Sequence, residues 1–174
     1  MVTPFKGAEA GSIQIRDFRQ DELEQLWAID QSCFDRDLAY SRAELRFYLN
    51  LPRSFTLVAE VAPPAAQLPA APGYSARAIA IGFVVAHPVR NTTGHIITID
   101  VVKQWQRTGA GTQLLQGAED RLKQLGCNRV ELETAVNNVG AMAFYHSRGY
   151  HILRTIRGYY SNGLNALLME KMLT

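Results

Sequence analysis

The hydrophobic and polar positions of the chain follow two repeats, one of two residues and one of three to four, which together predict a mixed α/β domain. Runs rich in β-branched and aromatic residues predict strands that begin near Ser12 and cover 55–61, 78–86, 95–102, 128–135, 150–157 and 164–172. Apolar residues at helical spacing predict two helices between residues 21 and 52, and then helices over 109–126 and 138–148. The predicted order is β-α-α-β-β-β-α-β-α-β-β, a single mixed sheet flanked by helices.

Two segments fall outside this pattern. Residues 1–11 carry Pro4, Gly7 and Gly11 and are predicted to form a loose arm. A Pro- and Ala-rich loop over 62–76 holds four of the seven prolines, and such a stretch joins neither a helix nor a sheet ladder. Because strand-forming sequence resumes at residue 78, we interpret the loop as an insertion within one domain over 12–174.

Composition narrows the class of protein. The chain has 174 residues, a formal net charge of +2 and 47% hydrophobic residues, which is typical of one globular domain and excludes wholesale disorder. This weak charge does not favour nucleic acid as a partner. No apolar run approaches the length of a membrane span, and the N-terminus lacks the apolar stretch of an export signal. Cys33 and Cys127 are therefore expected to be reduced thiols in a cytoplasmic protein without membrane contact.

The stretch from Gln106 to Thr112 carries the strongest chemical signal. A buried strand ends near Val102, and Gly109 and Gly111 lie where the next amphipathic helix begins. Glycines allow backbone N–H groups to approach a ligand closely, and a helix N-terminus favours negative charge. The turn therefore predicts a phosphate-bearing ligand, with Arg107 as a cationic partner. For a bare Gly-x-Gly the alternative is a helix entry that binds nothing.

Two common phosphate-binding motifs do not fit this turn. A P-loop requires Gly-Lys-Ser/Thr, and none is present. A dinucleotide-binding fingerprint requires a third glycine at position 114, which is occupied by Leu114. Both motifs are therefore excluded.

The wider context resembles the acetyl-CoA motif of the GNAT superfamily of N-acyltransferases. The first part of the resemblance is a strand, then Gln106-Arg107-x-Gly109-x-Gly111, then a helix. The second part is Asn138-x-x-Ala141-x-x-x-Tyr145-x-x-x-Gly149-Tyr150, which is similar to the second motif of the family. Together with the strand order, the resemblance covers roughly residues 12–173.

This resemblance implies a GNAT fold with acetyl-CoA as the co-substrate. It places the pantetheine arm against the strand Ile99-Asp100-Val101. It also gives Asn138 a contact with CoA beside its role as a helix cap. The backbone N–H groups that it assigns to the CoA pyrophosphate belong to Gln106, Arg107, Thr108, Gly109, Ala110, Gly111 and Thr112.

Within the superfamily, the chain most resembles the protein N-terminal acetyltransferases, including the bacterial ribosomal-protein alanine N-acetyltransferases. The resemblance is carried by Leu132-Glu133, Asn138, Phe144-Tyr145 and Tyr159-Tyr160. Three features depart from the pattern: Ala135 replaces the usual arginine, Leu164-Asn165 replaces an acidic pair, and the loop over 62–73 lengthens a short connection. The first two bear on the identity of the acceptor, and none of the three touches the glycine turn.

Acetyl transfer to an amine requires a base and a proton donor for the departing thiolate. The resemblance places the catalytic glutamate at Glu133, at the end of a strand, on the face that Glu131 and Arg129 share by alternation. The alternative, a solvated carboxylate without a role, fits Glu131 better. Tyr145 in the following helix is the candidate general acid. The alternative is that Tyr145 only packs in the core.

His95 is the second candidate for the base, because other acetyltransferases carry Glu or His in this part of the strand. Its alternative is a structural role. Regular alternation places Asp100 on the opposite face of the strand from His95, so the two are not expected to cooperate. His87 and His151 fit no cluster, and no metal site is predicted.

The acceptor is predicted from the ionisation of amines and from the resemblance. An α-amine with a pKa of about 7.7–8.0 is roughly a tenth neutral at pH 7, whereas lysine, at about 10.4, costs roughly 3 kcal/mol more to deprotonate. A site with one modest base therefore favours direct transfer to the N-terminal α-amine of a protein or peptide. The resemblance places Phe34, Tyr40 and Tyr159 against this acceptor. The alternatives are acetylation of a small amine and a non-catalytic CoA-binding sensor.

Overall fold

The computed structural model of the protein describes residues 12–62, 78–90 and 92–174. The predicted arm over 1–11 and nearly all of the Pro- and Ala-rich loop lie outside these described residues. Within them, the strands form one mixed sheet in the spatial order β1-β2-β3-β4-β5-β7-β6. The strands are β1 (Gln14–Asp17), β2 (Phe55–Val61), β3 (Ile79–Pro88), β4 (Thr93–Val101), β5 (Arg129–Ala135), β6 (His151–Ile156) and β7 (Ala166–Met172).

Four α-helices accompany the sheet in the described part of the chain. They are α1 (Leu23–Cys33), α2 (Arg42–Leu49), α3 (Ala110–Gln124) and α4 (Val139–Ser147). Short 3-10 turns precede α1 at Gln20–Glu22 and follow β4 at Lys103–Trp105, and the sequence pattern did not predict them. The predicted order of strands and α-helices is confirmed, with boundaries that differ by a few residues.

Local side-chain chemistry explains where two helices begin. Ser41 accepts a hydrogen bond from the backbone N–H of Glu44 at 3.2 Å, and the Glu44 carboxylate accepts one from the backbone N–H of Ser41 at 2.8 Å. This is the capping box of α2. Asn138 caps α4, since its side-chain oxygen accepts a hydrogen bond from the backbone N–H of Ala141 at 3.0 Å.

The two faces of the sheet carry separate apolar clusters. Helices α3 and α4 pack on one face, called the α3 face, where Leu114, Leu122 and Tyr145 meet side chains from β2 to β5. Helices α1 and α2 pack on the opposite face, called the α1 face, where Leu26 and Leu45 meet β2 and β3. The predicted amphipathic character of α3 is therefore confirmed, and Leu125, just beyond the helix, is 44% exposed.

A buried polar network ties α3 to the far end of the sheet. The Tyr150 hydroxyl donates a hydrogen bond to Glu119 at 3.0 Å, and the Lys171 ammonium donates one to the other oxygen of Glu119 at 2.6 Å. Because both carboxylate oxygens have partners, the buried charge of Glu119 is compensated. The network fixes α3 against β7 and the start of β6.

An irregularity in β4 shapes the middle of the sheet. Val85 of β3 lies opposite Thr98, but the next residue, Ala86, lies opposite Ile96, so Ile97 is one extra residue in β4. The parallel pairing of β4 with β5 runs only from Thr93–Arg129 to Ile96–Leu132. A β-bulge bends its strand and ends local pairing. The two strands therefore separate beyond Ile96 and open a gap at their carboxyl ends.

Candidate active site

A cavity of about 120 Å³ occupies the gap between β4 and β5. Six residues singled out from the sequence line it: Phe34, Tyr40, Ile99, Glu133, Asn138 and Tyr145. These side chains come from the residue that follows α1, the loop before α2, both strands, α4 and the residue that caps it. The bulge in β4 is what lets elements from both faces of the sheet meet at one place.

Glu133 and His95 form a direct pair beside this cavity. The Nε2 atom of His95 lies 2.7 Å from Oε2 of Glu133, and their side chains are 25% and 18% exposed. The two candidates for the base are therefore brought into hydrogen-bond contact, rather than standing as separate possibilities. Glu131 lies two residues earlier on the same face, does not line the cavity, and instead faces the Arg129 guanidinium at 3.8 Å.

Tyr145 lines the cavity from α4 and is 7% exposed. Burial raises the pKa of its hydroxyl above the usual range, and the nearby Asp100 and Tyr160 add to the rise. The phenol is therefore held protonated across the whole physiological range. Its ring also packs edge-on against Tyr150, at 5.6 Å between ring centroids. Tyr145 therefore packs in the core and lines the cavity at the same time.

The prediction that Asp100 and His95 lie on opposite faces of β4 is wrong. Ile96 and Ile99 both pack on the α3 face, although they are three positions apart, because Ile97 is the extra residue of the bulge. Asp100 consequently lies on the α1 face, close to Asp30 and Cys33 of α1. Its carboxyl group is buried and does not line the cavity.

Asp100 is an unusual carboxyl group. It accepts a hydrogen bond from the Thr98 hydroxyl at 2.7 Å through Oδ1, while Oδ2 is buried without a hydrogen-bond partner in the described part of the chain. Burial raises the pKa of Asp100 to about 8, and the neighbouring Asp30 adds to the rise, although the Thr98 hydrogen bond opposes it. Burial likewise raises the pKa of Asp30 to about 6.

The raised pKa of Asp100 predicts a stability that falls with pH. A carboxyl whose folded pKa of about 8 exceeds its unfolded value of 3.8 stabilises the fold fully below 3.8, and this contribution is lost as the pH rises through 8. We expect Asp100→Asn to match the wild type at pH 3.5 and to have the larger free energy of unfolding at pH 9. Urea unfolding at both values measures the difference. Parallel pH curves for the two proteins between pH 6 and 8 would contradict the assignment, because Asp30 titrates below that window.

A second, wider groove of about 590 Å³ leads away from the cavity between the loop before α2 and the turn that joins β6 to β7. Tyr159 lines this outer groove, whereas Tyr160 lines both the groove and the cavity. Burial raises the pKa of Tyr159 to about 12, with Glu133 nearby as the next cause. The Ser161 hydroxyl donates a hydrogen bond to the Asp37 carbonyl at 3.4 Å, so the two walls of the groove touch.

The glycine turn has the geometry of an anion site. Gly109 has φ +96° and Arg107 has φ +63°, so two residues of the turn adopt the left-handed conformation that points successive N–H groups toward one side. The turn is held by the Gln106 side-chain amide, which donates to the Val101 carbonyl at 3.1 Å, and by the Thr108 hydroxyl, which donates to the Trp105 carbonyl at 2.7 Å. The first N–H groups of α3 have no intrahelical acceptor, and such groups are able to bind an anion.

Two residues near these sites were missed in the sequence. Arg148, at the end of α4, donates a hydrogen bond to the Thr112 hydroxyl at 2.8 Å and lies over the Phe144 ring at 5.8 Å, which places its charge at the start of α3. Its position four residues after Phe144 was the available signal. His87, interpreted as fitting no cluster, lies directly opposite His95 in the β3–β4 ladder, with ring centroids 5.6 Å apart.

Two features are absent from residues 12–62, 78–90 and 92–174. No helix there has both the length and the apolar character needed to cross a membrane. Over the same residues, no three or more His, Cys, Asp or Glu side chains are grouped so that they could hold a metal ion.

Comparison with known families agrees with this arrangement. The model of the Acetyltransferase (GNAT) family matches residues 21–150, well over half of the chain. The chain belongs to this GNAT family. The match contains both strands of the gap, the glycine turn and α4, so the resemblance noted in the two sequence motifs is confirmed.

Individual relatives of this GNAT chain match it in part or in fold. An N-alpha-acetyltransferase of Sulfurisphaera tokodaii is 36% identical over 77 residues, which are 44% of this chain and 46% of that protein. The chain thus spans about half the length of the curated relatives it matches. Two solved structures share the fold: Ard1 from Thermoplasma volcanium (TM-score 0.74, 23% identity, 93% of this chain and 98% of that one) and the ribosomal-protein-S18-alanine N-acetyltransferase from Escherichia coli (0.73, 20%, 94% and 95%).

Proposed function

We propose that this chain transfers the acetyl group of acetyl-CoA directly to the N-terminal α-amine of a protein or peptide. The observation that carries the proposal is the cavity in the β4–β5 gap, where Glu133 and Tyr145 face one space that opens toward the groove of Tyr159 and Tyr160. Membership of the GNAT family and the similarity to the N-alpha-acetyltransferase of Sulfurisphaera tokodaii support the same reaction.

The residues present fit acetyl-CoA. The N–H groups at the start of α3 and the Arg107 side chain would hold the pyrophosphate. Beyond Ile96, the edge of β4 that faces the gap pairs with no other strand in the described part of the chain, and this edge would hydrogen-bond the amides of the pantetheine arm. The thioester would then lie in the cavity between Glu133 and Tyr145.

Two side chains would carry out the chemistry. Glu133 takes a proton from the amine, either directly or through a water molecule, so that the neutral nitrogen attacks the thioester carbonyl. The C–S bond then breaks, its electron pair stays on sulfur, and the protonated Tyr145 hydroxyl gives its proton to the developing thiolate. The second proton that the nitrogen loses on becoming an amide replaces the one given up by Tyr145, directly or through water. Neither cysteine fits an acyl-enzyme intermediate, since Cys127 is buried in the core and burial raises the pKa of Cys33 to about 11.

An acceptor comparison tests the proposal. CoA release would be followed with a lysine-free peptide that has a free N-terminus, a peptide of equal length with a blocked N-terminus and one lysine, and spermidine. We expect release with the first acceptor alone. CoA release only with the lysine peptide or spermidine would show that the proposed acceptor is wrong, while the proposed CoA site would stand. Binding of acetyl-CoA without CoA release for any of the three amines would favour a CoA-binding sensor.

Arg148 is expected to strengthen binding of the phosphate groups of CoA. Its guanidinium lies beside Thr112 in the first turn of α3, where it adds positive charge to the anion site. Removing an exposed charge-assisted contact with Arg148→Gln should weaken acetyl-CoA binding by roughly three- to tenfold and reduce its salt dependence. Titration calorimetry at two salt concentrations measures both. Arg154→Gln, which removes an exposed arginine of β6, is the matched control, and equal dissociation constants in the two variants would contradict the assignment.

A further inference from the structure

Three residues lie where the cavity meets the outer groove. Leu38, Tyr40 and Tyr160 line both spaces, so the walls of this passage come from the loop before α2 and from the turn that joins β6 to β7. In the proposed function, the end of the acceptor has to pass between these walls before its amine reaches Glu133. The position of Tyr40 therefore helps to set the width of the passage.

Three side chains of α1, those of Trp27, Asp30 and Gln31, hold the backbone of Tyr40, and we call them the α1 clamp. The backbone N–H of Tyr40 donates a hydrogen bond to Oδ2 of Asp30 at 2.9 Å. The backbone carbonyl of Tyr40 accepts one hydrogen bond from Nε2 of Gln31 at 2.8 Å and another from Nε1 of Trp27 at 3.1 Å. Both backbone polar groups of this loop residue are thus bound to one helix.

The side chain of Tyr40 is fixed as well. Its hydroxyl donates a hydrogen bond to the carbonyl of Ile97 at 3.4 Å, and its ring packs against Tyr48 of α2, with 4.9 Å between ring centroids. Ile97 is the extra residue of the bulge in β4 and lines the cavity. Tyr40 therefore connects α1 with the part of β4 that lies beside the cavity.

Asp30 lowers the stability of the fold, which favours a functional role for it. Its side chain is buried, and its Oδ1 atom has no hydrogen-bond partner in the described part of the chain. Its Oδ2 atom accepts hydrogen bonds from the Tyr40 N–H and, at 3.1 Å, from Nε2 of Gln31, so these bonds belong to the clamp. A buried carboxylate with an unpartnered oxygen is costly, and such departures from good packing are expected at functional sites.

We infer that Asp30 is a positioning residue for the acceptor: it fixes Tyr40 through the clamp, and so sets the affinity for the peptide without contacting it. This inference deepens the proposed function and rests on it. Asp30 lines neither the cavity nor the outer groove, whereas Tyr40 lines both. An effect of Asp30 on the acceptor must therefore pass through the residues that Asp30 holds.

Asp30→Ala removes the acceptor of the Tyr40 N–H. With the N-terminal peptide as acceptor, its KM for the peptide should rise by roughly tenfold, as for loss of a hydrogen bond to a charged group. The kcat value and the KM for acetyl-CoA should stay within about threefold of the wild type, because a higher KM at constant kcat indicates lost binding rather than lost chemistry. Asp30→Asn keeps an oxygen that accepts the Tyr40 N–H and should recover most of the peptide affinity.

A double-mutant cycle separates positioning from a general structural role. Tyr40→Leu removes the phenol and keeps an apolar side chain at the passage. Asp30→Ala should raise the peptide KM by less than about twofold in this background, because the ring that Asp30 places is gone. Asp35→Ala is the control and should leave the peptide KM unchanged, since Asp35 is an exposed residue of the same loop that lines neither space.

Gln31→Ala tests the clamp without a change in the core. Gln31 is exposed, and its substitution removes one donor to the Tyr40 carbonyl. The peptide KM should rise by roughly two- to fivefold in the wild-type background, as for loss of one neutral hydrogen bond, and should not rise in Tyr40→Leu. Thermal melting of each variant measures whether its fold is retained, and Gln31→Ala decides alone if Asp30→Ala does not fold.

The outcomes distinguish the inference from the proposed function. The inference is overturned if neither Asp30→Ala nor Gln31→Ala raises the peptide KM by more than about twofold, which is the size expected of a neutral substitution. It is also overturned if the KM for acetyl-CoA rises equally, or if the effects persist unchanged in Tyr40→Leu. Failure of the wild-type protein to acetylate the peptide overturns the proposed function itself, before any variant is compared.

Discussion

Glu133→Gln is expected to lower the turnover of acetyl-CoA with a peptide acceptor by roughly a hundredfold, since a positioned general base contributes about 10²–10⁴ in rate. Glutamine has nearly the same shape and still bonds to His95, but it does not accept a proton. Affinity for acetyl-CoA should stay unchanged, because the anion site lies at the start of α3. Steady-state CoA release and titration calorimetry measure the two quantities.

Glu131→Gln is the matched control for this result. Glu131 lies on the same strand and face, but it faces Arg129 rather than the cavity. We expect its turnover to remain within about twofold of the wild type, as for a surface substitution outside the site. Full activity of Glu133→Gln would mean that His95 alone, or bulk water, acts as the base.

Gly109→Val is expected to weaken acetyl-CoA binding by at least about tenfold. A β-branched residue is strained at φ +96°, at a cost of roughly 1–2 kcal/mol. Among the described residues, a Cβ atom at this position meets only the Gln113 side-chain amide, at 3.9 Å. A valine side chain would therefore stand in the space before the first N–H groups of α3. That is the space assigned to the pyrophosphate. Calorimetric titration with acetyl-CoA measures the loss.

A glycine-to-valine substitution beyond the other end of α3 separates the loss of acetyl-CoA binding from the cost of backbone strain. Gly126 has φ +89°, and a Cβ atom there meets no atom of the described part of the chain within 4 Å. Gly126→Val should therefore lose a similar free energy of unfolding and keep its affinity for acetyl-CoA. If both variants bind acetyl-CoA as tightly as the wild type, the glycine turn is not the pyrophosphate site.

Much of the fold follows from local sequence. The periodicity and the cap at Asn138 predicted the order of strands and α-helices, because these signals act within a few residues. The bulge at Ile97 carried no such signal, since every residue over 96–99 is an equally good strand former. Because the extra residue was not predicted, regular alternation assigned Asp100 to the wrong face of β4.

The candidate site was predicted residue by residue but not as an assembly. Glu133 and Tyr145 were identified through a resemblance, and both line the cavity. The contact between His95 and Glu133 joins neighbouring strands that are 38 positions apart in sequence. His87 meets His95 only through the register of the β3–β4 ladder. Pairings of this kind depend on tertiary register, which composition and periodicity do not encode.

The extra residue in β4 also affects two properties in opposite directions, since it lowers the stability of the sheet and creates the catalytic cavity. Deletion of Ile97 would leave Thr98 to Val101 on their present faces and would let β4 continue pairing with β5. The shortened protein would gain ladder hydrogen bonds and lose the space between Glu133 and Tyr145. Selection for thermal resistance alone would thus favour the shorter strand, whereas selection for activity retains the insertion.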